Sequence, residues 1–218
     1  MGTIEGKEAK KFAGYADRSG NLFRKIVEIT SPKKSDYAVV LADGSGNFSE
    51  ILKEEVGGIV SVEMSEEMIQ FLRKKFKKSK NVQVLKGDIR AVALKEKLFD
   101  KAYIVRAIHH VKQKKEVYLE AFRILKPDGL LIVADTFFKG NWFERLIFPI
   151  KWELLYRRSL SWDESCPLFT TEKELRKDLT EAGFEVIAIS QLNAKVESGR
   201  KIDNRFIAVA KRPLISTV

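Results

Sequence analysis

The chain has 218 residues, long enough for one sizeable domain with its own core. Its one cysteine, Cys166, excludes an intramolecular disulfide and a multi-cysteine metal site, and its two histidines, His109 and His110, are too few for a histidine-rich metal cluster. A formal charge of +10 attracts anionic partners or simply solvates helix faces; no apolar run is long enough to span a bilayer, and the charged start lacks a signal peptide's apolar segment, so a cytoplasmic location is expected.

In chain order, residues 8–30 read as one or two helices lying across the edge of a sheet. Residues 38–42 form an apolar strand that runs into the small-residue turn Asp43-Gly44-Ser45-Gly46. Residues 47–55 read as a helix with Phe48, Ile51 and Leu52 on one face. A second apolar strand, 59–63, ends in Glu63. Ser65 then caps a helix with Glu66 and Glu67 in its first turn and lysines at its end, as the helix dipole favours. Met68, Ile69, Leu72 and Phe76 form its buried stripe.

Residues 82–86 make a third strand, ending at Gly87-Asp88, and residues 100–106 a fourth, ending at Arg106. A helix over 114–124 carries Val117, Leu119, Ala121, Phe122 and the following Leu125 inward. Lys126-Pro127-Asp128-Gly129 has the composition of a turn before a fifth strand, 130–135. Such alternation implies a parallel, doubly wound α/β sheet. Residues 136–169 then break the pattern, being rich in aromatics with no clear strand. A helix near 171–182 opens with Thr171 and Glu174 in capping-box spacing. Strands 184–190 and 204–211 follow as a terminal antiparallel pair.

Ligands of a parallel sheet bind beyond the carboxyl ends of its strands, where the strand order reverses. Asp43, Glu63, Asp88 and Arg106 fall at four such ends and are expected to converge on one crevice. Glycines let the backbone approach a ligand closely, and a carboxylate at a strand tip can accept from two ribose hydroxyls. The outline is that of a β-α-β unit for a nucleoside-containing cofactor.

With these motifs in this order, the chain resembles the class I S-adenosylmethionine-dependent methyltransferases from about Tyr15 to Lys211. Asp43-Gly44-Ser45-Gly46 resembles the family's first loop, Glu63 its ribose-holding acid, and Gly87-Asp88-Ile89 the segment beside adenine. Phe99-Asp100 through His109-His110-Val111, with Leu125-Lys126-Pro127-Asp128-Gly129-Leu130, resembles the fourth strand, its loop and the start of the fifth. The His-His-Val run and the Leu-Lys-Pro-Asp-Gly turn are similar to the small-molecule branch that includes quinone-biosynthesis C-methyltransferases. One departure is Ala42, where family members usually carry an acid; Asp43 is shifted by one, and Asn47 and Phe48 stand where a third glycine is common.

The resemblance implies a mostly parallel seven-stranded sheet of order 3-2-1-4-5-7-6, with the last strand antiparallel and helices on both faces. It implies one domain over 1–218: a helical cap (1–35), a cofactor core (36–135), an aromatic lid (136–170) and a C-terminal helix with a strand pair (171–218). S-adenosylmethionine is the implied cofactor and S-adenosylhomocysteine its product. Gly44, Ser45 and Gly46 would meet its amino-acid portion, with Asp43 near the ammonium. Glu63 would hold the ribose, Met64 the adenine face, Asp88 the adenine amino group and the Ile89 backbone the ring edge. Arg106 borders the same crevice, and Tyr15 belongs to an N-terminal helix that would close over it.

Methyl transfer needs orientation above all, with a base where the nucleophile carries a proton. His110 and His109 are the candidates for that base; Arg106 suits a substrate carboxylate or phosphate, or pairs with a nearby acid. The expected acceptor is a small apolar or anionic molecule. A tRNA or rRNA acceptor is a second reading, favoured by charge but without the Pro-Pro tetrapeptide after strand four, where this chain has Arg-Ala-Ile-His. A non-catalytic methyltransferase-like binding module is a third, prompted by the altered first loop. A nicotinamide dinucleotide fits poorly, because Phe48 and Ser49 would crowd its pyrophosphate.

The 136–170 segment mixes Phe137, Phe138, Trp142, Trp152, Tyr156 and Trp162 with Arg145, Lys151, Arg157 and Arg158. It suits a substrate lid, ordinary packing, a dimer contact or a membrane-facing surface. The Arg73–Lys80 charge run reads as a solvated helix end or, less simply, as a contact for RNA phosphates. The oligomer is expected to be a monomer or homodimer, without stable membrane insertion.

Overall fold

The computed structural model describes residues 20–138, 143–148, 170–192 and 204–214. Its centre is built from apolar runs covered on both faces, which is why they read as continuous rather than alternating hydrophobic stretches. In chain order the elements are α1 (Gly20–Thr30), β1 (Tyr37–Leu41), α2 (Asn47–Leu52), β2 (Gly58–Glu63), α3 (Glu66–Lys75), β3 (Val82–Lys86) and β4 (Phe99–Val105). There follow a 3₁₀ turn (Ile108–His110), α4 (Lys114–Ile124) and β5 (Leu125–Thr136). A short helix over 143–148, α5, comes next. The last elements are α6 (Glu172–Glu181), β6 (Glu185–Leu192) and β7 (Arg205–Lys211).

The seven strands form one sheet in the order β3-β2-β1-β4-β5-β7-β6. β1 pairs in parallel with β2 and β4, β2 with β3, and β4 with β5; β7 runs antiparallel between β5 and β6. This is the expected order and direction. Strand alternation divides the core into two layers. Val39, Leu41, Val60, Val62, Ile104 and Val133 face α4 and α6, through Val117, Tyr118, Ala121, Leu175 and Leu179. Ala38, Val40, Ile59, Tyr103 and Ile132 face α1 and α2, through Leu22, Phe23, Ile26, Phe48 and Leu52.

Several local expectations change. α1 packs on the face of the central strands rather than across the sheet edge, and its Thr30 hydroxyl lies 3.4 Å from the Tyr103 hydroxyl. α2 ends at Leu52, not 55. Leu119 is 47% exposed, because α4 turns Tyr118 and Ile124 inward instead. Lys126-Pro127-Asp128-Gly129 is not a free turn but the bulged first part of β5. Asp128 adopts φ +64°, and its N–H donates to the Arg212 carbonyl at 2.9 Å while the Arg212 N–H returns to Gly129. The β4–β5 register jumps from Phe99–Leu125 to Lys101–Leu130 across it.

Both caps read from the sequence are present. Ser65 accepts from the Met68 N–H, and Thr171 and Glu174 exchange the two hydrogen bonds of a capping box. At the start of the aromatic segment, Phe137 is core: it is buried and stacks on Phe206 at 3.9 Å. The Phe138 N–H donates to the Thr170 carbonyl, so the chain leaves β5 and returns to α6 at one place. Trp142, Trp152, Tyr156, Trp162, Cys166 and the cations Lys151, Arg157 and Arg158 lie outside the described residues.

Candidate active site

The carboxyl ends of β1, β2 and β3 are tied edge to edge. The Asp43 N–H donates to the Val62 carbonyl and the Gly87 N–H to the Glu63 carbonyl. Glu63 is 8% exposed, and its carboxylate knits the tips together: Oε2 accepts from the Gly44 N–H at 2.9 Å, and Oε1 from the Met64 and Ser65 N–H groups at 2.7 and 2.9 Å. Hydrogen bonds to an ionised acceptor are the stronger kind. The loop itself bends through left-handed conformations at Gly44 (φ +58°) and Gly46 (φ +70°), with Ala42 also at φ +58°.

Asp43 sits in this loop but turns its carboxylate beneath it. Oδ2 accepts from the Ser49 and Ser61 hydroxyls at 2.6 and 2.5 Å, while Oδ1 is enclosed with no hydrogen-bond partner among the described residues. Burial pushes this carboxyl up to about 6 against the lowering pull of the two hydroxyls, and Glu63 adds to the rise. Asp43 therefore stands where an apolar residue would pack under the loop, and serine hydroxyls on β2 and α2 supply its partners.

Lys75, from the charge run at the end of α3, is not a solvated lysine. Its Nζ donates to the Ser45 carbonyl at 3.1 Å and to Asn47 Oδ1 at 2.6 Å. Burial lowers its pKa, partly offset by Glu50 and Asp43. The glycine loop is thus gripped from below by Lys75 and from the side by Glu63. Helical spacing was the available signal, since Lys75 lies three residues beyond the buried Leu72.

At the tip of β3, Asp88 is engaged by Arg90: Nε lies 3.0 Å from both carboxylate oxygens and a terminal nitrogen 2.5 Å from Oδ2. Hydrogen bonds from Arg90 hold the Asp88 carboxyl below the usual range despite partial burial. Arg90 reaches on to Gln113. The Ile89 side chain is buried in the core, which leaves its backbone, not its side chain, for a ligand. Arg106, expected as the last residue of its strand, instead follows β4, exposed and in a left-handed conformation with φ +55°, its N–H donating to the Ala134 carbonyl. Tyr15 lies outside the described residues.

The 3₁₀ turn after β4 brings its two histidines to the end of β5. His109 Nδ1 lies 2.7 and 2.9 Å from the two oxygens of Asp135, whose carboxylate also accepts from the Thr136 N–H at 2.8 Å and the His109 N–H at 3.3 Å. Asp135 is 2% exposed. Burial alone would raise its pKa, but the His109 charge and these hydrogen bonds outweigh it and hold the carboxyl below its ordinary range. The His110 ring lies 3.9 Å from that of His109, and burial followed by His109 pushes His110 down to about 4. Asp135 was not among the expected site residues. Its signal was an acid closing the apolar run Leu130–Ala134 at a strand tip.

The family model of a methyltransferase domain matches residues 40–133, the span from β1 to β5 that carries these tips. The chain carries a methyltransferase domain over these strands. This methyltransferase is 24% identical over 186 residues to the demethylmenaquinone methyltransferase of Lactobacillus johnsonii, covering 78% of this chain and 76% of that protein. It is 25% identical over 193 residues to the ubiquinone/menaquinone biosynthesis C-methyltransferase UbiE of Yersinia enterocolitica, covering 79% and 76%. Among solved structures, a putative methyltransferase of Bacillus halodurans matches with a TM-score of 0.73 at 19% identity, covering 89% of this chain and all of that one. S-adenosylmethionine is the cofactor, and the tips of β1 to β3 fit it in kind: a recessed carboxylate beside left-handed glycines, with backbone N–H groups gathered around it.

No described helix is long and apolar enough to cross a membrane. A depression of about 370 Å³ lies at the opposite end of the strands, lined among others by Asp36, Tyr37, Gly57, Gly58, Lys80 and Asn81. It is remote from the carboxyl tips, the end of the strands at which open parallel sheets generally bind ligands.

Proposed function

We propose that this methyltransferase acts on a small apolar ring molecule bearing an ionisable hydroxyl, of the hydroquinone class, with His109 accepting the hydroxyl proton. The observation that carries the reading is the His109 imidazole anchored on Asp135 at the β4–β5 tips, in the same row of strand ends as Glu63. Two relatives aligned over most of their length are named for demethylmenaquinone and for ubiquinone and menaquinone biosynthesis, and such acceptors present a hydroxyl of this kind when reduced.

The cofactor supplies an electrophilic methyl group on a positively charged sulfur. Glu63 would take the ribose hydroxyls through Oε2, which has a single backbone donor. Met64 and the Ile89 backbone would flank the adenine, beside Asp88, and the backbone at Gly44 and Gly46 would border the amino-acid portion. His109 would remove the acceptor's hydroxyl proton, which raises electron density on the ring carbon; that carbon bonds the methyl group as the S–CH3 bond breaks to leave S-adenosylhomocysteine, then loses its own hydrogen as a proton to restore the aromatic ring while His109 returns the hydroxyl proton. The rest of the rate comes from holding the two partners in line.

The test is transfer of labelled methyl from S-adenosylmethionine to a reduced short-chain demethylmenaquinone, with bulk tRNA assayed beside it. Label in the extracted quinone is expected. Label in tRNA with none in the quinone would replace this reading with the RNA acceptor.

A further inference from the structure

The two imidazoles are adjacent in sequence and in space, yet their surroundings give them different chemistry. Asp135 is pinned by two backbone N–H groups, from Thr136 and His109, so its carboxylate has one orientation available. A carboxylate offers only acceptors, so the hydrogen between it and His109 is carried by Nδ1. In a neutral imidazole the other ring nitrogen is then the proton acceptor. His110 has no such anchor in the dyad, and its burial against His109 leaves it a weak base.

We propose that Asp135 is a positioning residue that fixes His109 as the Nδ1–H tautomer, so that His109 Nε2, and not His110, takes the acceptor's proton. This rests on the reading of His109 as base. Asp135 does not move the proton itself. It holds the ring and faces the positive charge that forms when Nε2 is protonated, the division of labour seen wherever a carboxylate orients a catalytic imidazole.

Two measurements test it. The first is ¹⁵N spectroscopy of the histidine side chains. The chain has only two imidazoles, and His110→Asn leaves one to assign. His109 is expected with the ring proton on Nδ1 and none on Nε2, and Asp135→Asn should abolish that preference. A wild-type Nε2–H tautomer overturns the proposal.

The second is methyl transfer to the reduced short-chain demethylmenaquinone in Asp135→Asn, His109→Asn and the double variant, with S-adenosylhomocysteine affinity measured by calorimetry. Asp135→Asn should lower kcat on the order of 10²-fold or more, leave cofactor affinity within about twofold, and add nothing to His109→Asn. Full turnover in Asp135→Asn, or additive losses in the double variant, overturns the proposal. A wild type that holds the Nδ1–H tautomer but does not methylate the quinol supports the positioning role and overturns the hydroquinone acceptor alone.

Discussion

The carboxylate of Glu63 receives the backbone N–H of Gly44 at 2.9 Å. The first glycine of the loop is thereby held by the acid that closes the neighbouring strand, and the same acid gathers the Met64 and Ser65 N–H groups at the head of α3. Glu63 shapes the loop, and in the function proposed above it also presents the ribose acceptor. Glu63→Ala should reduce S-adenosylhomocysteine affinity by at least about tenfold in calorimetry and cost on the order of 1–3 kcal/mol in stability, since three N–H groups lose their partner. Glu63→Gln keeps an acceptor oxygen and should fall between the two.

Lys75 tests whether the loop needs its lower grip. Lys75→Met keeps the apolar stem packed but removes the donors to Ser45 and Asn47. Chemical denaturation should show a loss of about 1 kcal/mol, and cofactor affinity should drop several-fold as the loop loosens. Unchanged affinity would mean that Glu63 alone sets the loop.

Gly46 is held at φ +70°, and a Cβ there would lie 2.5 Å from Leu72 Cδ2 and 2.7 Å from Phe76 Cε2. Both atoms belong to buried side chains that seat α3 against the loop. Gly46→Ala combines backbone strain with crowding and should destabilise by roughly 2 kcal/mol or more, read as a lowered unfolding midpoint.

Asp43 and His110 give opposite pH dependences in overlapping windows. Asp43 rises from 3.8 to about 6 on folding, so the native state binds the extra proton and its stabilising contribution is lost as pH climbs from about 4 to 6. His110 falls from 6.5 to about 4, so the unfolded state binds the extra proton and stability is lost as pH drops from about 6.5 to 4. Each shift of about two units corresponds to roughly 3 kcal/mol. Measured between pH 4 and 7, Asp43→Asn should gain stability relative to wild type as pH rises, and His110→Asn should gain relative to wild type as pH falls. Parallel slopes in the two variants would contradict the burial of one of these groups.

Much of the sheet could be read from residues alone because β1, β2 and the main part of β5 are continuous apolar runs between glycines and charges, and burial on both faces leaves no other use for them. Two strand tips were legible for the same reason, Glu63 and Arg106 being the first charged side chains after such runs, while Asp88 was marked by the glycine before it, just past β3. Contacts set by tertiary placement or by a loop's own conformation were not. Asp135 meets His109 from 26 residues away, and Arg90 covers Asp88 only because the loop after β3 turns back on itself. Lys75 sat inside a run of cations whose composition suggested water, while its helical position pointed at the loop. Lys126-Pro127-Asp128-Gly129 has turn chemistry, but pairing with Arg212 drew it into the sheet.

A cofactor seated on the joined tips of β1, β2 and β3 would leave its mark on hydrogen exchange of the backbone amides, compared with and without saturating S-adenosylhomocysteine. Slowed exchange is expected across 43–48, 63–66 and 87–89. Protection confined to 35–37, 57–59 and 80–83, around the depression at the amino ends of the same strands, would contradict it.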